Sequence, residues 1–230
     1  MKTLIKQVAN CLGYEIKPLR RGKPSPVHLW EEDPVFNRIY AQILGHTLVS
    51  KQRCFMLYQL ARMASVLPGD VAEIGVYRGG TAKLLSYTFG LTENRIHLFD
   101  TFSGMPETNP ERDKHVAGAF SDTSLENVKA YLHDCAGAHF YQGVFPATAQ
   151  PVAGLQFRFV HIDVDIHSSV LACCTFFYPR VVVGGILIFD DYGDISCPGA
   201  KDAVEEFFAG KPEKPVYLPT GQCVAVKLPV

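Results

Sequence analysis

The stretch DVAEIGVYRGGT, Asp70 to Thr81, decides the fold: an apolar run carrying one acid, Glu73, passes through a glycine-rich turn into a helix-length segment. Val71, Ala72 and Ile74 read as a buried strand, and Gly75, Gly79 and Gly80 supply a turn that a bulkier residue would obstruct. Glycines also let a ligand approach the backbone, and the helix that follows offers free N–H groups to a carboxylate or phosphate. Glu73 would repel a pyrophosphate. It would attract a ligand carrying an ammonium or sulfonium charge. The plainer alternative is a tight strand–helix turn with no ligand at all.

Outward from this turn the same texture repeats. Apolar runs at residues 70–76, 95–102, 139–145, 157–163 and 181–190 read as strands, and between most of them lie helix-length segments at 79–90, 123–135 and 166–178, with a last helix around 200–209. Thr123 and Glu126 have the spacing of a capping box at the start of the second helix. Alternating strands and helices predict a doubly wound α/β fold with a mostly parallel sheet. Runs at 216–218 and 223–228, split by Pro219-Thr-Gly-Gln222, predict a C-terminal antiparallel hairpin that completes a seven-stranded sheet. Residues 1–66 read as a helical N-terminal cap with a linker-like Pro/Arg/Lys stretch at 17–26, and 67–230 as the main domain, the two forming one structural unit.

The chain has 230 residues, 47% hydrophobic and 20% charged, which excludes a disordered or fibrous protein. Its 22 Lys+Arg and 23 Asp+Glu leave a formal charge of -1, without the basic footprint of a nucleic-acid or anionic-membrane binder. The 7 cysteines are scattered and never spaced as CxxC, so neither a disulfide scaffold nor a zinc ribbon is expected. A cytoplasmic location fits the thiols and the absence of an uninterrupted apolar leader in the first residues. Residues 170–189 could pass for a membrane span, but Pro179-Arg180 and Gly184-Gly185 divide them into a helix end and a β-branched strand, so no membrane span is expected. Long helices before the sheet suggest a homodimer or higher homo-oligomer.

Ligands of such sheets bind beyond the carboxyl ends of the strands. Those ends are polar here. Asp100 closes the second strand, where an acid can accept ribose hydroxyls, or can cap the Thr101-Phe102-Ser-Gly turn instead. Gly143 to Phe145 follow the third strand and could flank an adenine, unless Phe145 is core. Asp163 and Asp165 follow the fourth strand, and Asp190 and Asp191 the fifth. Four carboxylates at neighbouring strand ends repel one another unless a cation lies between them or some are protonated, and an oxygen donor set suits Mg²⁺. For Asp190 and Asp191 both to serve, a turn must begin there, since consecutive strand residues face opposite ways. His97, His161 and His167 lack a metal-ligand spacing of their own and read as core or loop residues.

The motifs GDVAEIGVYRGGTAKLL, HLFDTFSGMPE, GVFPAT, HIDVDIHSSV and GGILIFDDYG followed by CPGAKDAVEEFF make the chain resemble the macrocin O-methyltransferase (TylF-type) group of class I methyltransferases from about Thr47 onward. The resemblance implies a Rossmann-like S-adenosylmethionine enzyme acting on a sugar hydroxyl of a natural product or glycan, with adjacent hydroxyls able to chelate Mg²⁺. It implies that Glu73, Gly75, Tyr77, Gly79, Gly80 and Thr81 hold the methionine end of the cofactor. Asp100, with Thr101 and Phe102 after it, would take the ribose, and Gly143 and Phe145 the adenine. Asp163, Asp190 and Asp191 match metal-binding aspartates, and Asp163 also the general base. The chain departs from the pattern at His167, where a tyrosine is usual, and residues 1–46 hold no motif of the group. A metal-dependent catechol or phenol O-methyltransferase is the nearest rival, but its usual lysine base falls on Ile166. An NAD-dependent dehydrogenase shares the sheet and the strand-two acid, yet Glu73 and the acidic cluster disfavour it. A catalytically silent carbohydrate-binding protein on this fold is disfavoured by the retained aspartates.

Overall fold

The computed structural model of the protein describes residues 28–90 and 95–229. The expected linker at 17–26, most of the residues before the cap helices, and Cys11 lie outside the described residues.

Strands β1 (Asp70–Ile74), β2 (Ile96–Asp100), β3 (Ala138–Gln142), β4 (Phe157–Ile162) and β5 (Val181–Phe189) run parallel, and β6 (Val216–Tyr217) and β7 (Cys223–Val226) close the sheet as an antiparallel hairpin. The order β3-β2-β1-β4-β5-β7-β6 reverses direction between β1 and β4, which is where a doubly wound sheet opens its crevice. Each strand stops a residue or more before the run that predicts it. The first N–H past several strand ends still pairs with a neighbouring strand: Gly75, Asp163 and Asp190 donate to the carbonyls of Phe99, Ile74 and Ile162.

Helices α1 (Leu29–Glu32), α2 (Pro34–Ile43), α3 (Lys51–Ala64) and α4 (Gly80–Phe89) precede or follow β1, and α5 (Leu125–Tyr131), α6 (His167–Phe177) and α7 (Pro198–Phe208) come later. Alternation along the strands divides the core in two. Val71, Ile96, Leu98, Phe159 and Ile188 face one way and meet Phe36, Ile43, Leu57 and Leu84. Ala72, Ile74, Phe99, Val160, Ile162 and Phe189 face the other and meet Val170, Phe177, Ala203 and Phe208. The helices before β1 therefore share one core with the sheet. Ring pairs Phe36–Phe55 and Phe36–Tyr58, with centroids 5.0 and 5.5 Å apart, lock α2 to α3.

The apolar run at 170–189 is split as its prolines and glycines require: α6 ends at Phe177, a 3₁₀ turn spans Tyr178–Arg180 and β5 begins. Among the described residues no helix is long and apolar enough to cross a membrane. The capping box is displaced by one residue. Ser124, not Thr123, caps α5 by accepting from Asn127 N, because the Thr123 hydroxyl is drawn to the Tyr77 carbonyl. At the other end of the chain Asp33 caps α2 with one oxygen on both Val35 N and Phe36 N, each at 2.9 Å. Asp33→Ala is expected to remove about 1 kcal/mol. Thermal unfolding would then shift down by about 2–4 °C in a chain of this size.

Candidate active site

A cleft enclosing about 1320 Å³, its open mouth included, lies over the carboxyl ends of β1, β2, β4 and β5. Its floor at one end is the β1–α4 turn. Gly75 sits at φ 86°, and a Cβ there would lie 1.7 Å from the carbonyl oxygen of Asp163. The two loops can approach this closely only because residue 75 has no side chain. Tyr77 is held at φ 51°, an uncommon value for a side-chain-bearing residue. What holds it is Asp100, whose Oδ2 accepts from Val76 N at 2.7 Å and Tyr77 N at 2.9 Å.

Asp100 thus serves the backbone on both sides, since its Oδ1 also accepts from Phe102 N at 2.7 Å. A carboxylate has about four acceptor sites, so roughly one is left for a ligand hydroxyl rather than the two that a full ribose clamp needs. Thr101, Gly143, Val144 and Phe145 line the same end of the cleft, as do Gly75, Tyr77 and Thr81. Glu73, Gly79, Gly80 and Phe102 do not. Gly79 supports the start of α4, Gly80 N donates to the His46 carbonyl, and Phe102 lies in the core.

Glu73 is the sharpest departure from the sequence reading. Period-two alternation places it with Val71 on the sheet face that α3 and α4 cover, and it is fully buried. In register beside it on β4 stands His161, whose Nδ1 lies 2.8 Å from Glu73 Oε1. The other Glu73 oxygen has no protein partner. Burial alone would lower the His161 pKa, but the Asp190 and Glu73 carboxylates on either side hold it well above the ordinary imidazole value. His161 thus stands between the β1 and β5 acids, its Nε2 3.5 Å from Asp190 Oδ1, and is more than the core residue its spacing suggests.

At the other end of the cleft the four acids meet as the sequence implies, with β5 ending at Phe189 so that a turn begins at Asp190. Asp163 and Asp190 offer carboxylate oxygens that, together with a His161 nitrogen, all lie within 4.8 Å of one another. Asp191 does not close the triad so tightly, because its Oδ2 accepts from Asp165 N at 3.1 Å. Burial raises Asp163 well above the usual carboxylate range and the negative Asp190 adds to it. Burial likewise raises Asp191, reinforced by Asp163 and Asp165. Asp190 goes the other way. Burial opposes its charge, but His161, Arg53 and Gln222 outweigh it and lower its pKa.

Arg53 and Gln222 are the residues that the motifs do not reveal. Arg53 reaches down from α3, placing Nη1 2.9 Å from Asp190 Oδ2, while Gln222 Nε2 from the β6–β7 turn lies 2.6 Å from Asp190 Oδ1. His46, Thr47, Leu48 and Val49 join Arg53 in the lining, so the segment before β1 forms one wall of the cleft. The only advance signal for Arg53 is electrostatic: four converging acids demand a counter-charge.

A family model described as macrocin-O-methyltransferase (TylF) matches residues 41–216, most of the chain. The chain belongs to that family. Membership makes it an O-methyltransferase, and the TylF fold is borne out in space as well as in sequence. The O-methyltransferase NovP superposes with a TM-score of 0.70 at 25% identity, covering 80% of this chain and 83% of that one. Demethyldecarbamoylnovobiocin O-methyltransferase of Streptomyces niveus is 27% identical over 181 residues, 72% of this TylF chain and 68% of that protein. The 8-demethyl-8-(2,3-dimethoxy-alpha-L-rhamnosyl)-tetracenomycin-C 4'-O-methyltransferase of Streptomyces olivaceus is 27% identical over 227 residues, 89% of this chain and 82% of that protein.

Proposed function

We propose that this O-methyltransferase moves the methyl group of S-adenosylmethionine to a sugar hydroxyl of a natural product or glycan, with Mg²⁺ as the bound cation. The observation that carries the reading is one continuous cleft with a glycine turn, an acid and an aromatic at one end and crowded carboxylates at the other. The first end fits the cofactor. Gly75 removes the Cβ that would fill the approach, Asp100 retains acceptor capacity, and Phe145 and Val144 give an apolar surface for a base. Glu73 lies below that surface, so its charge acts on the ligand through the sheet and not by contact.

The second end fits a hard cation. Asp163 and Asp190 supply oxygen donors, and their mutual repulsion is the energy that a cation relieves. Asp191 completes the set in this reading once its tie to Asp165 N is exchanged. When bound, S-adenosylmethionine supplies an activated methyl group. When bound, Mg²⁺ lowers the pKa of a hydroxyl held against it. The protein contributes alignment, water exclusion and a place for the proton. The cleft walls bring the acceptor oxygen in line with the departing sulfur. In this reading Asp163 takes the hydroxyl proton at an Oδ atom. Arg53 holds Asp190 in its charged form.

A catechol-type mechanism has no side chain to work with at residue 166, because Ile166 is buried and caps α6 through its backbone position only. The acceptor class, a glycoside with adjacent hydroxyls, draws support from the rhamnosyl group in the name of the Streptomyces olivaceus relative. In the same reading residues 1–66 act as a lid over the 67–230 domain, for which the Arg53 contact is the support. The exposed Leu29, Val35 and Leu44 on that segment suit a homodimer, and the six buried free cysteines among the described residues suit a reducing cytoplasm.

Calorimetric titration with S-adenosylmethionine, S-adenosylhomocysteine and NAD, each in Mg²⁺ and in EDTA, tests the proposal. Dissociation constants of about 1–100 μM are expected for both sulfur compounds, against none for NAD. EDTA should leave cofactor binding in place while stopping transfer. Binding of neither sulfur compound would overturn the cofactor assignment.

A further inference from the structure

Within the same cleft, beside the Asp163–Asp190 pair, His115, Asp165 and Cys197 converge from three separate segments: the loop after β2, the loop after β4 and the turn before α7. His115 Nε2 lies 3.6 Å from Asp165 Oδ1, and Cys197 Sγ lies 3.3 Å from the same oxygen. All three ligand atoms fall within 4.8 Å of one another. Tetrahedral zinc with ordinary Zn–N, Zn–O and Zn–S lengths places its ligand atoms about 3.4–3.6 Å apart. The two measured edges, 3.6 and 3.3 Å, lie within and just below that range, and His115, which sets the third, is partly exposed on a long loop.

We propose that His115, Asp165 and Cys197 form a second cation site, suited to a borderline divalent ion of the Zn²⁺ type and distinct from the oxygen-rich site of Asp163 and Asp190. A nitrogen, oxygen and sulfur set selects against Mg²⁺, which keeps to oxygen ligands. Three protein ligands leave a fourth position for water or a ligand heteroatom. On binding, the S–H bond breaks, the proton goes to solvent and the thiolate pair forms the metal–sulfur bond. Asp165 stands at φ 59°, a strained position for a side-chain-bearing residue, and this turn is what aims its carboxylate at Cys197.

Co²⁺ is the probe, since a thiolate ligand gives it a near-ultraviolet charge-transfer band. The full chain is first saturated with Mg²⁺ to fill any oxygen site and then titrated with Co²⁺. One equivalent of band is expected in the wild type, none in Cys197→Ser, and an affinity weaker by at least about tenfold in His115→Ala. The His115→Ala arm does not touch the core, so it reads the site even where the cysteine variant folds poorly. Absence of the band from the folded wild type overturns the assignment, and so does an undiminished band in Cys197→Ser. Neither result depends on which methyl acceptor the enzyme uses.

Discussion

Asp163→Asn is expected to lower kcat by at least about a thousandfold, because one substitution removes both a proton acceptor and a cation ligand. General-base catalysis alone contributes about 10²–10⁴. A thousandfold loss corresponds to about 4 kcal/mol of transition-state stabilisation. Cofactor affinity should hold to within about threefold, since Asp163 meets the cofactor end only through its backbone carbonyl beside Gly75. Stability should move the opposite way from activity. Asp163 has a folded pKa well above the ordinary 3.8, so the folded state binds more protons than the unfolded one as pH rises through that interval. By linkage its carboxyl therefore lowers stability progressively with rising pH above 3.8. Asparagine removes that penalty, and a melting temperature raised at neutral pH, with a flatter pH dependence, is the expected signature. Asp165→Asn is the comparison, since Asp165 lines the same cleft and lies 3.6 Å from His115. If Asp165→Asn is dead while excess Mg²⁺ restores Asp163→Asn, then Asp163 is a ligand only and Asp165 is the base.

The parts of this site that the sequence makes legible are those whose chemistry and local geometry agree. Asp100, Asp163 and Asp190 end buried strands, and an acid at the end of an apolar run has nowhere to go but the crevice. Asp190 and Asp191 need a turn between them, and β5 does stop at Phe189. Glu73 lies in the same glycine motif yet points elsewhere. Its direction is set by the pleat: two residues from Val71, it must share Val71's face, and that face is under α3 and α4. The β1–β4 register then decides its partner, and register between distant strands is not written in either strand alone. His161 becomes the hydrogen-bond partner of Glu73 for that reason, although its spacing suggests only core. Arg53 and Gln222 are further still from local inference. They reach Asp190 from 137 and 32 residues away, through a helix and a hairpin that no motif connects. Thr123 shows the same limit on a small scale, because a tertiary hydrogen bond to Tyr77 outcompetes the cap that its spacing favours.

Gly75→Ala is the substitution expected to damage the fold most for the fewest atoms added. Two independent effects combine. At φ 86° an alanine is strained whatever surrounds it, by about 1–3 kcal/mol. Its Cβ would also stand 1.7 Å from the Asp163 carbonyl oxygen, and backbone cannot swing aside as a flexible side chain can. That carbonyl belongs to the loop carrying Asp163 and Asp165, whose position is fixed in turn by Asp163 N donating to Ile74 O at 2.9 Å. Relief of the clash therefore pulls β1 and β4 apart at the crevice. A combined loss of about 4 kcal/mol lowers the melting temperature by roughly 8–16 °C in a domain of this size. Gly45→Ala separates the two causes, since Gly45 has a comparable φ of 81° but nothing within 4 Å of its Cβ position. It should show the backbone strain alone, a shift of about 2–12 °C that stays below that of Gly75→Ala, with the cofactor titration unchanged. If Gly75→Ala melts no lower than Gly45→Ala, the contact between residue 75 and the Asp163 carbonyl is not what sets the spacing of the two loops.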